Sequence, residues 1–193
     1  GIPVVPHETA KFLDFFCAAT QPHQILEIGT AIGFSASLMA QHLASDGHLT
    51  TIDRYALMFE RAKSNFEQAG LADKVTVLEG DAADILPTLP ANHYDLIFMD
   101  SAKAKYLEFY PYCMRLLKMG GVLLIDDVLQ AGTIMDAIDT RPKRVRKIHR
   151  KLNELFQAVL TDQNQRACLL PLGDGLLMVR KEKEIEVEDF LAT

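Results

Sequence analysis

The stretch QILEIGTAIGFSAS, residues 24–37, indicates the fold of this chain of 193 residues most clearly. It begins with a short apolar run that predicts a buried β-strand, and its last residues read as the start of a helix. Gly29 and Gly33 lie between them, where a tight turn or the close approach of a ligand requires residues without side chains. This order is typical of the first unit of a parallel α/β sheet.

The same alternation continues along the chain. Apolar runs predict strands at 24–28, 48–53, 74–80, 94–100 and 121–126, and amphipathic stretches predict helices at 33–44, 55–69, 81–89, 103–118 and about 143–160. RACLLPL and GLLMVRK, joined through GDG at 173–175, predict a hairpin of two antiparallel strands at the edge of the sheet. Helical crossovers predict a doubly wound, mostly parallel sheet, so we expect one α/β domain over residues 1–193.

Composition restricts the class of protein. No run approaches the roughly 18 apolar residues of a membrane span, and we expect a cytoplasmic protein that does not contact membranes. Cys17, Cys113 and Cys168 are far apart and form no C-x-x-C pair, which favours buried free thiols over disulfides or zinc ligands.

The charge is unevenly distributed. A net charge of −6 argues against generic nucleic-acid binding, but RPKRVRKIHRK at 141–151 contains seven Lys or Arg residues and no acid. This basic segment is either a solvated helix face or a contact for a polyanion. The candidates for an RNA contact are Arg141, Lys143, Arg144, Arg146 and Lys147.

The ends of the first three strands outline a cofactor site, because ligands of such sheets bind beyond the carboxyl ends of the strands. The spacing Glu27-x-Gly29-x-x-x-Gly33 lacks the third close glycine of a dinucleotide motif. Asp53 could accept both hydroxyls of a ribose, or could simply cap the next helix. Asp81 could likewise be a cap, or could meet an adenine edge together with the Ala82 backbone. Together these ends predict a site for an adenosine-bearing cofactor.

The ends of the fourth and fifth strands carry three carboxylates, Asp100, Asp126 and Asp127. If these strands are neighbours, the carboxylates converge, and they must then take up protons or a cation. Oxygen ligands suit Mg²⁺, with Mn²⁺ or Ca²⁺ as alternatives, although the three acids could also be plain caps. Lys103 is the candidate general base; it could instead only offset the carboxylates, or Lys105 could be the closer amine.

Four motifs, LEIGTAIGFS, DSAKAKY, IDDVLQAG and PLGDGL, resemble in order and spacing the metal-dependent class I S-adenosylmethionine O-methyltransferases. That family includes the catechol and caffeoyl-CoA O-methyltransferases. Within it the chain looks most like the bacterial tRNA 5-hydroxyuridine methyltransferases, on EIGTAIGFSA, DSAK and RPKRVRK. The resemblance implies a Rossmann-like sheet of seven strands, helices on both faces, and a last strand that lies antiparallel beside the fifth.

The resemblance also implies roles for individual residues. S-adenosylmethionine would be lined by Val5, Ser35, Asp53, Ala82 and the Asp100 region, with Glu27 and Gly29 at its methionine end. The metal would be held by Asp100, Asp126 and Asp127, beside Lys103 as base. We expect methyl transfer to 5-hydroxyuridine in tRNA or, alternatively, to a catechol-like molecule with two neighbouring oxygens.

Two features depart from the family pattern. Many relatives have Asn at the position of Asp127, and LQAGTIMDAIDT, residues 129–140, offers no aromatic residue to frame a flat phenol.

The resemblance also implies an upstream helix that we expect this sequence to lack, and we expect a homodimer. An NAD-dependent oxidoreductase and a receiver-like, Mg²⁺-binding signalling module remain as alternatives.

Overall fold

A computed structural model describes residues 5–30, 33–101, 103–129 and 143–193. Within these ranges the strands are β1 Gln24–Ile28, β2 His48–Asp53, β3 Val75–Glu79, β4 Tyr94–Met99, β5 Leu117–Asp126, β6 Arg166–Leu170 and β7 Leu176–Arg180. The helices are α1 His7–Thr20, α2 Phe34–Ala40, α3 Ala56–Gln68, α4 Ala82–Ile85, α5 Tyr106–Leu116, α6 Lys143–Leu160 and α7 Val187–Ala192. Short 3-10 turns lie at Ala72–Lys74, Leu86–Thr88 and Lys103–Lys105.

The seven strands form one sheet in the order β3-β2-β1-β4-β5-β7-β6. β1 to β5 are parallel, and β7 lies antiparallel between β5 and β6. The expected α/β class, the hairpin and the placement of the last strand beside the fifth are confirmed. The strand order reverses between β1 and β4, and ligands of open α/β sheets bind at such a point.

Helices cover both faces of the sheet, as expected. On one face, α1, α2 and α3 bury Leu13, Met39 and Phe66 against strands, and on the other α5 and α6 bury residues such as Tyr110 and Leu155. Burying these apolar side chains provides the main stabilisation, at roughly 25 cal/mol per Å² of apolar surface. No helix in the described ranges has the length and apolar character needed to cross a bilayer.

Several element boundaries differ from the predicted ones. The helix expected at 81–89 is split into α4 and a 3-10 turn, because Pro87 cannot continue the α-helical hydrogen bonding. β5 begins at Leu117 rather than at 121, since Gly120 and Gly121 still exchange backbone hydrogen bonds with Lys181. Helices α1 and α7 were not predicted.

The cysteine prediction is largely correct. All three thiols are free, and Cys17 and Cys113 are buried. Cys168 is exposed rather than buried, because it lies on β6, the edge strand of the sheet.

Candidate active site

A cleft of about 590 Å³ opens at the carboxyl ends of the strands, at the point where the strand order reverses. It brings together most of the predicted site residues from both halves of the sequence. A smaller cavity of about 250 Å³ adjoins it, and the two share Gly29, Asp53, Tyr55 and Ser101. The predicted residues that line the larger cleft are Val5, Gly29, Ser35, Asp53, Asp100, Lys103, Asp126 and Asp127.

The glycine turn after β1 is shaped by two strand ends. The Gly29 N–H donates to the Ile52 carbonyl at 2.9 Å, and the backbone of Gly29 has a φ of 104°. A Cβ at this position would lie 2.9 Å from both the Asp100 carbonyl oxygen and the Ser101 Cβ. Gly29 is therefore required both by its left-handed conformation and by its contact with the end of β4.

Beneath this turn lies a buried network that we call the hydroxyl floor, made of Glu27, Thr30, Ser35 and Thr51. The Thr51 hydroxyl donates to Glu27 Oε1 at 2.6 Å, and the Ser35 hydroxyl donates to Glu27 Oε2. The hydroxyl oxygens of Thr30 and Thr51 are hydrogen-bonded at 2.6 Å. Each carboxylate oxygen of Glu27 thus has a partner, and the network joins β1, β2 and α2.

Glu27 lies under the cleft and is fully buried, whereas Ser35 lines the cleft. Burial raises the pKa of Glu27 to about 7, and the charge of Asp53 raises it further. The two hydrogen bonds from hydroxyls lower the pKa, but burial has the larger effect. The geometry therefore places Glu27 as a support for the turn. Its direct contact with a ligand stays a prediction.

Asp53 and Asp81 both accept a backbone hydrogen bond two residues further on, and both face the cavities, but only Asp81 is the N-cap of a helix. Asp53 Oδ1 accepts from the Tyr55 N–H at 2.9 Å, and Asp81 Oδ1 accepts from the Ala83 N–H at 2.9 Å. Asp53 lines both cavities, while Asp81 and Ala82 line only the smaller one. Asp81 therefore caps α4 and also lines a cavity, whereas Asp53 does not cap α3, whose N-cap is Tyr55. The contact of either residue with a ligand stays a prediction.

At the other end of the cleft, Asp100, Asp126 and Asp127 form what we call the acidic corner. Asp126 is 1% exposed, and its Oδ1 has no hydrogen-bond partner among the described residues. Burial raises the pKa of Asp100 to about 8, with further increases from Asp126, Asp127 and Glu27, while Lys103 opposes them. Burial also raises the pKa of Asp126 to about 6, and the carboxylates of Asp127 and Asp174 raise it further. The hydrogen bond from the Asp127 N–H and the charge of Lys103 lower this pKa.

The positions of Lys103 and Lys105 show which of the two amines belongs to the acidic corner. Lys103 Nζ lies 2.7 Å from Asp127 Oδ2, whereas Lys105 Nζ lies 3.4 Å from Glu108 and faces the smaller cavity. Lys103 is therefore the amine of the acidic corner. Its ion pair fits a role in offsetting charge, and its role as a base stays a prediction.

Asp127 has a φ of 55°, in the left-handed region that Asn and Asp tolerate better than other non-glycine residues. An Asn would suit the same backbone. No group of three His, Cys, Asp or Glu side chains within the described ranges is arranged closely enough to hold a metal ion. Lys103 holds Asp127 in this arrangement, so the three-aspartate metal site stays a prediction.

The sequence interpretation missed several residues that line the larger cleft. Phe34, Tyr55 and Met58 provide its apolar wall, and Tyr55 is 57% exposed. Asp174 is a fourth carboxylate near Asp126 and comes from the PLGDGL motif, which the sequence interpretation used only as a hairpin turn. Tyr55 follows β2 by two residues, and this position at a strand end was the available signal.

The basic segment becomes the first half of α6, and this helix packs against the Lys103–Lys105 turn. Lys143, Arg144 and Lys147 are exposed, and Arg146 is partly exposed. Arg141 lies outside the described residues, as do positions 130–140 of the segment expected to border the substrate. The Lys and Arg residues of α6 are thus at least partly exposed, and their contact with RNA stays a prediction.

Fold and site together define an α/β protein with an open cleft in which a glycine turn and a group of carboxylates meet. The chain matches the family model described as "O-methyltransferase" over residues 2–182. The chain therefore belongs to the O-methyltransferase family. Membership sets aside the oxidoreductase and signalling-module alternatives.

Relatives and solved structures agree with this assignment. The chain is 35% identical over 135 residues to a catechol O-methyltransferase from Mycobacterium tuberculosis, covering 70% of this chain and 61% of that protein. It is 30% identical over 180 residues to caffeoyl-CoA O-methyltransferase 2 of Eucalyptus globulus, covering 90% and 73%. It thus spans less than two thirds of the first relative's length.

Two solved structures superimpose closely on the fold. TomG from Streptomyces achromogenes, an O-methyltransferase of tomaymycin synthesis solved in complex with SAM, gives a TM-score of 0.83 at 26% identity, covering 93% of this chain and 82% of TomG. An O-methyltransferase from Bacillus cereus in complex with SAH gives 0.82 at 26% identity, covering 93% and 84%. The sheet order and the cleft therefore belong to a fold that binds this cofactor in relatives.

Proposed function

We propose that the chain transfers the methyl group of S-adenosylmethionine to a hydroxyl oxygen that has a second oxygen beside it. The observation that carries this proposal is the single cleft in which Ser35 and Asp53 of the cofactor half meet the acidic corner. TomG, which shares the fold, was solved in complex with SAM. The bound cofactor supplies an electrophilic methyl group on its sulfonium.

The two cavities would hold different parts of the cofactor. Asp53 lies at their junction, where its carboxylate would accept ribose hydroxyls, and Asp81 and Ala82 line the smaller cavity, which would hold the adenine. Gly29 and Ser35, above the hydroxyl floor, would face the methionine end. Val5 and Tyr55 also line the larger cleft and would border the bound cofactor.

The donor chemistry of the acidic corner suits a hard divalent cation such as Mg²⁺, although its side chains would have to move closer together to hold one. Its donors are carboxylate oxygens, Asp126 Oδ1 is buried without a partner, and the pKa values of Asp100 and Asp126 are raised by burial and mutual repulsion. Asp100 and Asp126 would hold the ion, with Asp127 joining on release from Lys103. A bound cation lowers the pKa of a coordinated hydroxyl and fixes its orientation.

Lys103 would complete the chemistry from the turn before α5. Its amine lies 2.7 Å from Asp127. After release from that carboxylate, the neutral amine would accept the proton of the acceptor hydroxyl. The walls of the cleft would hold the acceptor oxygen opposite the methyl group, which is the alignment that an in-line displacement requires.

For the acceptor we propose 5-hydroxyuridine in tRNA, converted to 5-methoxyuridine. The base hydroxyl and the neighbouring carbonyl provide the two adjacent oxygens, and an unstacked, single-stranded base can enter such a cleft. Two observations support this: the first residues of α6 are basic and exposed, and α6 as a whole packs against the Lys103–Lys105 turn. A catechol-like small molecule is the second candidate, favoured by the relatives named catechol O-methyltransferase.

The proposal is tested by methyl transfer from labelled S-adenosylmethionine to undermethylated tRNA and to a catechol, each with and without a chelator. We expect transfer to tRNA that the chelator abolishes and added Mg²⁺ restores. Turnover of the catechol with none of tRNA would reassign the acceptor. Transfer that is indifferent to chelation would refute the metal-assisted reaction.

The basic face is tested by neutralising Arg144, Arg146 and Lys147 together. We expect tRNA binding to weaken. The slope of log affinity against log salt concentration should fall by the equivalent of up to about three phosphate contacts. The matched control neutralises three exposed lysines elsewhere, Lys11, Lys74 and Lys183. Equal losses in the two triple variants would contradict a specific RNA face on α6.

A further inference from the structure

The junction between β4 and β5 differs from the other junctions around the cleft. Beyond the ladders, the Asp100 N–H donates to Ile28 of β1 at 3.0 Å, and the Gly80 N–H donates to Asp53 of β2 at 2.9 Å. Leu129 N donates to Asp174, next to β7, at 2.9 Å. Across β4 and β5 the ladder ends at Met99 with Ile125, and among the described residues no backbone hydrogen bond joins 100–101 to 127–128.

This junction carries the acidic corner, where ionised carboxylates would repel one another. Tyr106, the first residue of α5, lies directly behind it and is fully buried. Its hydroxyl donates to the Asp126 carbonyl at 3.1 Å. Burial and the charges of the three aspartates raise the pKa of Tyr106 well above its ordinary value, while the facing Ser101 N–H opposes this, so the phenol keeps its proton and donates.

We propose that Tyr106 is a positioning residue that holds the ends of β4 and β5 at the separation that cation binding and methyl transfer require. The hydroxyl ties the end of β5 to the start of α5, and α5 directly follows the Lys103–Lys105 turn. One buried side chain thereby fixes Asp126 relative to Lys103. The inference rests on the proposed function for its cation and on the structure alone for its strand junction.

The chain offers a matched control one turn along the same helix. Tyr110 is also fully buried, and its hydroxyl has no hydrogen-bond partner among the described residues. Tyr106→Phe and Tyr110→Phe therefore each remove one buried oxygen from α5. Only the first change removes a bond to the acidic corner.

The first measurement is amide hydrogen exchange by NMR on the cation-free protein. We expect Tyr106→Phe to speed exchange at residues 127–128 on the order of tenfold, with no change at Gly29, while Tyr110→Phe leaves both regions as in the wild type. Equal exchange at residues 127–128 in the two variants would overturn the inference. This readout needs no cation, so it stands even if the proposed metal function fails.

The second measurement is Mn²⁺ titration by calorimetry, with S-adenosylhomocysteine titrated in parallel. We expect Tyr106→Phe to weaken Mn²⁺ binding about tenfold, the lower range for a supporting residue, and to leave the S-adenosylhomocysteine affinity within about twofold. Wild-type protein that binds no Mn²⁺ would contradict the proposed function. Mn²⁺ binding that is equal in wild type, Tyr106→Phe and Tyr110→Phe would contradict the positioning role.

Discussion

The two halves of the cleft satisfy their buried acids in opposite ways. In the hydroxyl floor, both oxygens of Glu27 accept hydrogen bonds from hydroxyls of the same protein. In the acidic corner, Asp126 Oδ1 is buried without a described partner, and the pKa values of Asp100 and Asp126 are raised. The hydroxyl floor therefore satisfies its buried acid within the protein, whereas the acidic corner does not, and this difference is the basis of the proposed cation site.

The largest effect should come from the acidic half. Asp100→Asn keeps the shape of the side chain but removes a ligand charge, so we expect kcat/KM to fall by more than the 10- to 100-fold typical of supporting residues. The melting temperature should hold or rise in cation-free buffer, because like-charge repulsion is relieved. Steady-state kinetics and thermal unfolding measure the two effects.

The exposed Asp73, changed to Asn, is the control for Asp100→Asn and should alter neither quantity. An Asp100→Asn variant that keeps its activity would remove the distinction between the two halves. A variant that loses both activity and stability would indicate a structural role instead.

In the cofactor half, Gly29→Ala should be the most damaging change. Its Cβ would meet the Asp100 carbonyl and Ser101 at 2.9 Å, and a φ of 104° strains any side chain. Gly70→Ala is the control, because Gly70 also has a positive φ, 73°, but a Cβ added there would meet no atom of the described residues within 4 Å. We expect both to cost about 1–2 kcal/mol of backbone strain and only Gly29→Ala to weaken S-adenosylhomocysteine binding, by about tenfold or more.

Calorimetric titration of both glycine variants distinguishes strain from site damage. Equal affinities for S-adenosylhomocysteine in the two variants would show that the turn after β1 does not contact the cofactor.

A smaller effect concerns pH and the hydroxyl floor. Burial raises the pKa of Glu27 from 4.5 to about 7, so its carboxyl group takes up a proton more readily in the folded chain than in the unfolded chain. Its contribution to stability is therefore complete below about pH 4.5 and is lost as pH rises through 7, on the order of 3 kcal/mol in the cofactor-free protein.

Glu27→Gln should flatten that part of the stability profile between pH 5 and pH 8, measured by chemical unfolding at each pH. Glu79→Gln, at the exposed end of β3, should leave the profile unchanged. A Glu27→Gln profile parallel to that of the wild type would contradict the assignment.

The smallest effect is expected at Asp127. Asn suits a φ of 55° equally well, so Asp127→Asn should fold normally and lose only the ion pair with Lys103. We expect Mn²⁺ affinity to fall a few-fold, while kcat stays within about tenfold of the wild type. If this change abolished Mn²⁺ binding, Asp127 would be an essential ligand, as important for cation binding as Asp100.

The sequence predicted much of the fold because polar residues end apolar strands. β1 and β2 match their predicted bounds, and Asp53 and Asp100 lie at the cleft as expected. Boundaries near glycine and proline were wrong where local backbone rules competed with pairing, as at Gly120 in β5. Helix α1 was missed, although its buried Leu13 and Cys17 lie four residues apart, at helical spacing.

The finer chemistry of the site was less accessible from sequence. Strand position predicted that Lys103 and Asp127 would be near one another, but which amine pairs with which acid depends on the turn at Lys103–Lys105. The link from Tyr106 to Asp126 joins residues 20 positions apart and leaves no mark in hydrophobic periodicity. Such contacts require the packed structure.

The difference between the two halves is tested most directly by Asp126→Asn, titrated separately with Mn²⁺ and with S-adenosylhomocysteine. The account predicts that the wild type binds one Mn²⁺ per chain, and that the variant loses this ion while it retains S-adenosylhomocysteine within about threefold. Mn²⁺ binding that is unchanged in the variant, or absent from the wild type, would contradict the account.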